Sequence, residues 1–159
     1  MNEGKDRYFS PSRAARRGFL LSGIAVAGLA AVTAAQWFNI SAERGEGDLS
    51  VSRAHALTQA GEVLLVDIRR PDEWDRTGVP QGAVPIDMRD ANFTLRLAEL
   101  VEGDRDAPIA LICARGVRSA RLASRLRAAG FTDIRDVPEG MMGSGAGPGW
   151  LAEGLPVTR

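Results

Sequence analysis

Chemistry in this sequence gathers at one cysteine and the five residues that follow it. Cys113-Ala114-Arg115-Gly116-Val117-Arg118 comes after an unbroken apolar run, Ile109-Ala110-Leu111-Ile112, and before a segment opened by Ser119. Cys113 is the only cysteine in the chain. A thiol is a ready nucleophile once it exists as a thiolate, and positive surroundings favour that form. Arg115 and Arg118 supply full positive charge. Gly116 allows backbone geometry that a side chain would forbid, so several loop N–H groups can point at one centre. A lone cysteine at a strand end also serves as a small buried hydrophobe. Loop, helix start and arginines taken together favour a reactive, anion-cradled thiol.

The elements around this loop are expected to hold it in place. Four consecutive apolar residues after Pro108 suit a short strand buried on both faces. From Ser119 onward, Leu122, Leu126 and Ala129 fall on one helical face and Arg121, Arg125 and Arg127 on another. Gly130 closes that helix. The loop therefore curls into a helix N-terminus, whose unpaired N–H groups and positive dipole end favour an anion. A second buried-type strand, Val63 to Ile68, carries Asp67 near its end. The spacing predicts a helix capped by Ser52, with Ala56, Leu57 and Ala60 on one face and Gly61 as its stop. Pro71-Asp72-Glu73-Trp74 reads as a short helical turn with proline at its favoured first position. Gly78, Pro80 and Gly82 mark a loop before Ala83-Val84-Pro85-Ile86. Phe93, Leu97, Leu100 and Val101 form another helical stripe, and Ile134 to Val137 a last short strand. This alternation predicts an α/β fold: a central, mainly parallel β-sheet with helices on both faces. Ligands of such sheets bind at the carboxyl ends of strands, where Cys113 and Asp67 both lie.

The chain has 159 residues, with 20 basic against 20 acidic. Residues 1–35 hold five basic and two acidic residues, while residues 36–159 hold 15 arginines and 18 acids. The larger part is mildly acidic with scattered charge, so nucleic acid is not an expected partner. One cysteine excludes an intramolecular disulfide and any multi-cysteine zinc site, and no metal or other cofactor is expected. The single histidine, His55, has no neighbouring ligand pattern and reads as a surface helix residue. Met1 to Arg17 is polar and basic and is expected to be disordered. Gly18 to Ala35 carries no charge over 18 residues, about the minimum for a membrane span. The reading is an export signal or membrane anchor at 1–35, a linker at 36–48 and one domain at 49–159. Membrane contact is expected through residues 18–38, with Trp37 and Phe38 at the interface if the segment is retained. The basic flank stays inside, which places the domain in the periplasm, exported or anchored and facing outward.

Several stretches carry resemblances to known families. Arg16-Arg17-Gly18-Phe19-Leu20 resembles a twin-arginine export signal, with Ala15 where serine or threonine is usual and Leu21 where lysine is common. Four stretches of the remainder, in order, resemble a single-domain rhodanese. Val66-Asp67-Ile68-Arg69 with Glu73-Trp74 is similar to that family's opening. Gly78-Val79-Pro80-Gln81-Gly82-Ala83 is similar to its glycine turn, although without the usual histidine. Cys113-Ala114-Arg115-Gly116-Val117-Arg118-Ser119 is similar to its active loop, Cys-x-x-Gly-x-Arg-Ser. Trp150 with Gly154-Leu155-Pro156-Val157 is similar to its closing strand and tail. The resemblance implies a thiosulfate sulfurtransferase in which Cys113 is the catalytic nucleophile and carries a persulfide. Ala114, Arg115, Gly116, Val117 and Arg118 would bind the substrate, and Asp67 would buttress a loop arginine. The implied partners are a small anionic sulfur donor and a thiol or cyanide acceptor.

Two other readings use the same cysteine. One is a non-catalytic carrier or sensor of sulfane sulfur at the membrane. The other is a phosphatase or arsenate reductase, which would use a Cys-x5-Arg loop. Here only four residues separate Cys113 from Arg118, a tighter loop that suits a sulfur atom better than a phosphoryl group. The glycine-rich segment Gly140 to Gly149 reads as a slack surface loop, or else as a flap with Met141 and Met142 forming an apolar lid.

Overall fold

The computed structural model describes residue 42 and residues 44–159. The uncharged stretch at 18–35, its basic flank and most of the linker lie outside these residues. No helix among the described residues is long and apolar enough to cross a membrane.

The elements in chain order are α1 (Val51–Gln59), β1 (Leu64–Asp67), α2 (Pro71–Thr77), β2 (Val79–Pro80), β3 (Val84–Pro85), α3 (Phe93–Leu100), β4 (Ile109–Ile112), α4 (Val117–Ala128), β5 (Ile134–Val137) and β6 (Val157–Thr158). Four strands form a parallel sheet in the order β3-β1-β4-β5. β2 and β6 pair antiparallel in a small separate ribbon.

The unbroken apolar run of β4 has a direct cause. Successive side chains point to opposite faces of a strand, and here each face meets its own core. Ile109, Leu111 and Cys113 join one cluster with Phe93 and Leu97 of α3 and Leu122, Ala123 and Leu126 of α4. Ala110 and Ile112 join the other, with Val51, Ala54 and Leu57 of α1 and with Trp150. The expected α/β architecture with helices on both faces is therefore the one observed. Burying each of these larger aliphatic side chains contributes about 1.5–3 kcal/mol. β4 is thus fixed from four sides: by β1, by β5 and by both cores. Its carboxyl end is a rigid platform for whatever follows.

Local details differ from the sequence reading. Ser50, not Ser52, caps α1; its hydroxyl accepts the Arg53 N–H at 3.2 Å. Val51 is buried and so belongs inside the helix. α4 starts at Val117, before Ser119, because Gly116 turns the chain in at φ +81°. Leu100 is 44% exposed, so Phe93 and Leu97 alone make the buried contact of α3. His55 is not a free surface residue. Its ring packs edge-on against Trp150, with centroids 5.4 Å apart and planes at 82°.

Candidate active site

Cys113 follows the last residue of β4 and is buried, at 1% exposure. Ala114, Arg115 and Gly116 then lead into α4, whose first intrahelical bond runs from Ala120 N–H to Gly116 O at 3.0 Å. The N–H groups of Val117, Arg118 and Ser119 precede that bond and have no carbonyl a turn back. They present the positive end of the helix dipole to the loop. Arg115 is exposed and Gly116 is buried. Ser119 is fully buried, and its hydroxyl donates to Gly116 O at 3.0 Å and lies 3.5 Å from the Cys113 sulfur.

Arg118 lies across the loop and is clamped by a residue of α2. Its Nη1 donates to Glu73 Oε2 at 2.7 Å and its Nη2 to Glu73 Oε1 at 2.6 Å. This is the two-pronged geometry that suits guanidinium and carboxylate. The Arg118 bond holds the Glu73 carboxyl at about 2, against the opposing effect of burial, and the Arg70 backbone N–H adds to the lowering. Arg118 is in turn held in its charged form, first by its bond to Glu73, against the opposing effect of burial, and further by the charge of the nearby Cys113 sulfur. The guanidinium is therefore fixed by a carboxylate from another helix at the start of α4.

Asp67 does not buttress a loop arginine. It is fully buried and pairs with Arg69, two residues on, whose Nη2 reaches Asp67 Oδ2 at 2.7 Å and whose Nε reaches Oδ1 at 2.9 Å. Arg69 then donates to Thr77 Oγ1 at 2.7 Å and to Gly78 O at 2.7 Å. These bonds anchor the end of α2, the helix that carries Glu73. Asp67 thus acts on the loop only at a distance, through Arg69, α2, Glu73 and Arg118. The reason is steric: alternation along β1 puts Asp67 on the same face as Leu65, whereas Cys113 shares the opposite face with Val66.

The segment Gly140 to Gly149 is neither slack nor a two-methionine lid. Met141 N–H donates to Cys113 O and Met142 N–H to Ala114 O, both at 2.9 Å. Trp150 N–H returns to Gly140 O at 2.9 Å, and Ser144 Oγ donates to Pro138 O at 2.7 Å. Met141 is fully buried in the core shared with Trp150, while Met142 is 53% exposed. The glycines explain the close fit. A Cβ on Gly140 would stand 2.6 Å from Ala114 O, and one on Gly116 would stand 2.2 Å from Pro138 O. Only glycine lets these two backbones touch. Met142 and Ala114 then join Arg69, Glu73, Arg76 and Thr77 around a cleft of ≈150 Å³ beside the loop.

The structure thus groups Cys113, Ala114, Gly116, Val117 and Arg118 in one cradle, leaves Arg115 at its exposed edge and sets Asp67 behind it. The sequence places Glu73 and Ser119 within the motifs of the resemblance, and Gly140 within the alternative flap, but gives none of the three a role in the site. Glu73 had one weak signal, an acid two residues after a helix-starting proline. Among the described residues, no group of three or more histidine, cysteine, aspartate or glutamate side chains could hold a metal ion.

Comparison with known proteins gives consistent results. The rhodanese-like domain family matches residues 50–144, more than half of the chain. The thiosulfate sulfurtransferase of Pseudomonas aeruginosa superposes with a TM-score of 0.57 at 26% identity. That match covers 70% of this chain and 20% of the other, so this chain corresponds to about a fifth of that protein. The homodimeric polysulfide-sulfur transferase of Wolinella succinogenes gives a TM-score of 0.52 at 28% identity, covering 69% of this chain and 76% of the other. A Rhodopseudomonas palustris protein of unknown function, described as a possible tyrosine phosphatase, gives 0.53 at 24% identity, covering 70% and 83%. The last likeness is one of fold.

Proposed function

The chain belongs to the rhodanese-like domain family, and on that premise we propose that it is a sulfurtransferase acting through a persulfide on Cys113. The observation that carries the reading is the cradle itself: one buried sulfur just before the N-terminus of α4, with Arg118 in the first turn of that helix held by Glu73. The Cys113 thiolate attacks the outer sulfur of thiosulfate or a similar sulfane donor. A new S–S bond forms, the donor's S–S bond breaks, and sulfite departs with the bonding pair. The product is a Cys113 persulfide anion. A thiolate or cyanide then attacks its terminal sulfur and leaves Cys113 as the thiolate again. No outside oxidant or reductant is consumed. Both enzyme states are anions, which the helix N-terminus and Arg118 stabilise without a general base.

Arg115, exposed at the rim, attracts the anionic donor. The neighbouring sulfurtransferases support this chemistry over phosphoryl transfer, as does the four-residue interval between Cys113 and Arg118. Thiosulfate should add one sulfur atom to the intact mass, and cyanide should remove it. Cys113→Ser should abolish both. Activity surviving in that variant would sink the reading, because no second thiol exists in the chain. Loading without turnover would identify a carrier instead of an enzyme.

The same proposal places the domain outside the cytoplasmic membrane. Its support is the Arg16-Arg17 pair ahead of the uncharged stretch. Replacing both arginines by lysine should retain the protein inside the cell if the twin-arginine route is used. Unchanged export would point to the general secretory route or a simple anchor, and a domain that stays protected from protease in osmotically opened cells would refute the location.

A further inference from the structure

The chemistry above uses Arg115 and Arg118 and leaves a row of further charge along α4 without a task. Over its 12 residues this helix carries Arg118, Arg121, Arg125 and Arg127 and no acidic residue. Helical geometry puts Arg118, Arg121 and Arg125 within about 60° of one another around the axis. Arg127 lies on the opposite flank and donates to Ile134 O. Arg118 reaches Glu73, so Arg121 and Arg125 stand on the flank of α4 nearer α2 and continue the charge away from the loop. Both are exposed, as is Arg115. Among the described residues none of these three forms an ion pair. They stay unpaired although residues 36–159 hold 18 acids against 15 arginines.

The fold gains little from this row. The helix dipole favours cations in the last turn, which accounts for Arg125 and Arg127 but not for Arg121. Arg121 and Arg125, four residues apart, repel each other. A small sulfur donor has no use for them either. From Arg118 to Arg125 the helix rises about 10 Å, beyond the reach of an ion of a few heavy atoms held at Cys113. A partner that covers the row and also reacts at the loop is large, anionic and thiol-bearing. Met142, 53% exposed and bordering the cleft with Glu73, offers it an apolar contact of the kind protein interfaces use. Resting on the sulfurtransferase reading, we propose that Arg121 and Arg125, continuing from Arg115, dock an acidic protein that brings the acceptor cysteine to the Cys113 persulfide. The acceptor thiolate attacks the terminal sulfur, the S–S bond to Cys113 breaks, and its electron pair returns to Cys113 as the thiolate. The acceptor leaves with that sulfur as its own persulfide. Complementary charge speeds such an encounter and rejects basic partners.

The test uses the full chain and short peptides with one cysteine flanked by glutamates, by serines or by lysines. The chain is loaded with thiosulfate, freed of excess donor and mixed with a peptide, and intact mass follows the loss of sulfur. At low salt the glutamate peptide should react roughly three- to tenfold faster than the serine peptide, and the lysine peptide slower still. The advantage should shrink as the Debye length falls to about 8 Å at ~0.15 M ionic strength. Arg121→Gln combined with Arg125→Gln should remove most of it while thiosulfate loading keeps its rate. Equal rates for the three peptides overturn the proposal. So does a double variant whose thiosulfate loading slows as much as its transfer, the mark of general anion steering. Phosphatidylglycerol vesicles probe the other large anion: if the double variant loses their binding and keeps the peptide preference, the row serves a lipid surface and the proposal falls. A second measurement needs no sulfur. Fluorescence anisotropy of a labelled glutamate peptide, with serine in place of its cysteine, should show salt-sensitive binding that weakens roughly threefold or more in the double variant. That result with a Cys113 that never loads would remove the sulfurtransferase reading and leave the docking surface standing. Binding indifferent to the two arginines overturns the docking surface whatever the loading shows.

Discussion

Replacing Gly140 by alanine should disable the cradle without touching any residue that meets the sulfur. Gly140 has φ +64°, a region that costs an L side chain about 1–2 kcal/mol. The added methyl would stand 2.6 Å from Ala114 O, 2.7 Å from Ala114 C and 2.8 Å from Arg115 N. All three atoms are backbone, so none can swing aside. To restore an ordinary contact of 3.4 Å the loop must retreat by about 0.8 Å. The Met141 and Met142 N–H bonds to Cys113 O and Ala114 O resist that movement, so the displacement is shared with Cys113 itself. Such overpacking costs about 1–3 kcal/mol, giving about 2–5 kcal/mol in all with the backbone term. A reacting centre misplaced by about 1 Å loses on the order of 100-fold in rate. Single-turnover persulfide formation, followed by intact mass, should therefore slow by roughly 30- to 100-fold. Urea unfolding measured alongside supplies the stability loss. Gly61→Ala is the control: φ is +72° with nothing within 4 Å of the new methyl, so it carries the backbone cost alone. It should lose about 1–2 kcal/mol and keep its rate. A folded Gly140→Ala protein that loads sulfur within about threefold of wild type, under 1 kcal/mol of barrier, would refute the claim that this contact sets the loop.

The other expectations concern buried charge. Asp67→Asn leaves Arg69, at 2% side-chain exposure, with its full charge and no carboxylate, which should cost about 3–5 kcal/mol in the urea midpoint. A loss below about 1 kcal/mol would mean that the pair is dispensable, as exposed pairs often are. Two carboxyls should bend stability against pH in opposite senses. Glu73, held down chiefly by its bond to Arg118, stabilises the fold fully above its ordinary 4.5, and that contribution disappears as pH falls toward about 2. Asp136 is raised by burial from 3.8 to about 6, so the folded state keeps its proton longer than the unfolded chain. Its contribution is present at low pH and is lost as pH rises through that window, by about 3 kcal/mol. Urea midpoints over a pH series should show the acid-side fall reduced in Glu73→Gln and the loss across the upper window removed in Asp136→Asn; curves parallel to wild type would contradict both assignments.

The sequence by itself determined the local parts. The unalternating run Ile109 to Ile112 marked a strand buried on both faces, the period of Leu122 and Leu126 marked the helix after it, and Gly116 marked the turn between them. These signals are local because strand and helix periodicity is written along a few consecutive residues. The candidate nucleophile followed from the same stretch. What holds the cradle was decided by tertiary structure. Arg118 is paired with Glu73, 45 residues away, and no spacing rule connects them. Asp67 turned out to serve Arg69 because strand alternation sends it to the face opposite Cys113. The glycine run looked slack because glycine is permissive in isolation. Only the packed fold shows those glycines as the positions where two backbones come too close for a Cβ. Pairings of this kind depend on which strands lie side by side and which helix covers them, an arrangement set by the whole chain burying its apolar faces at once.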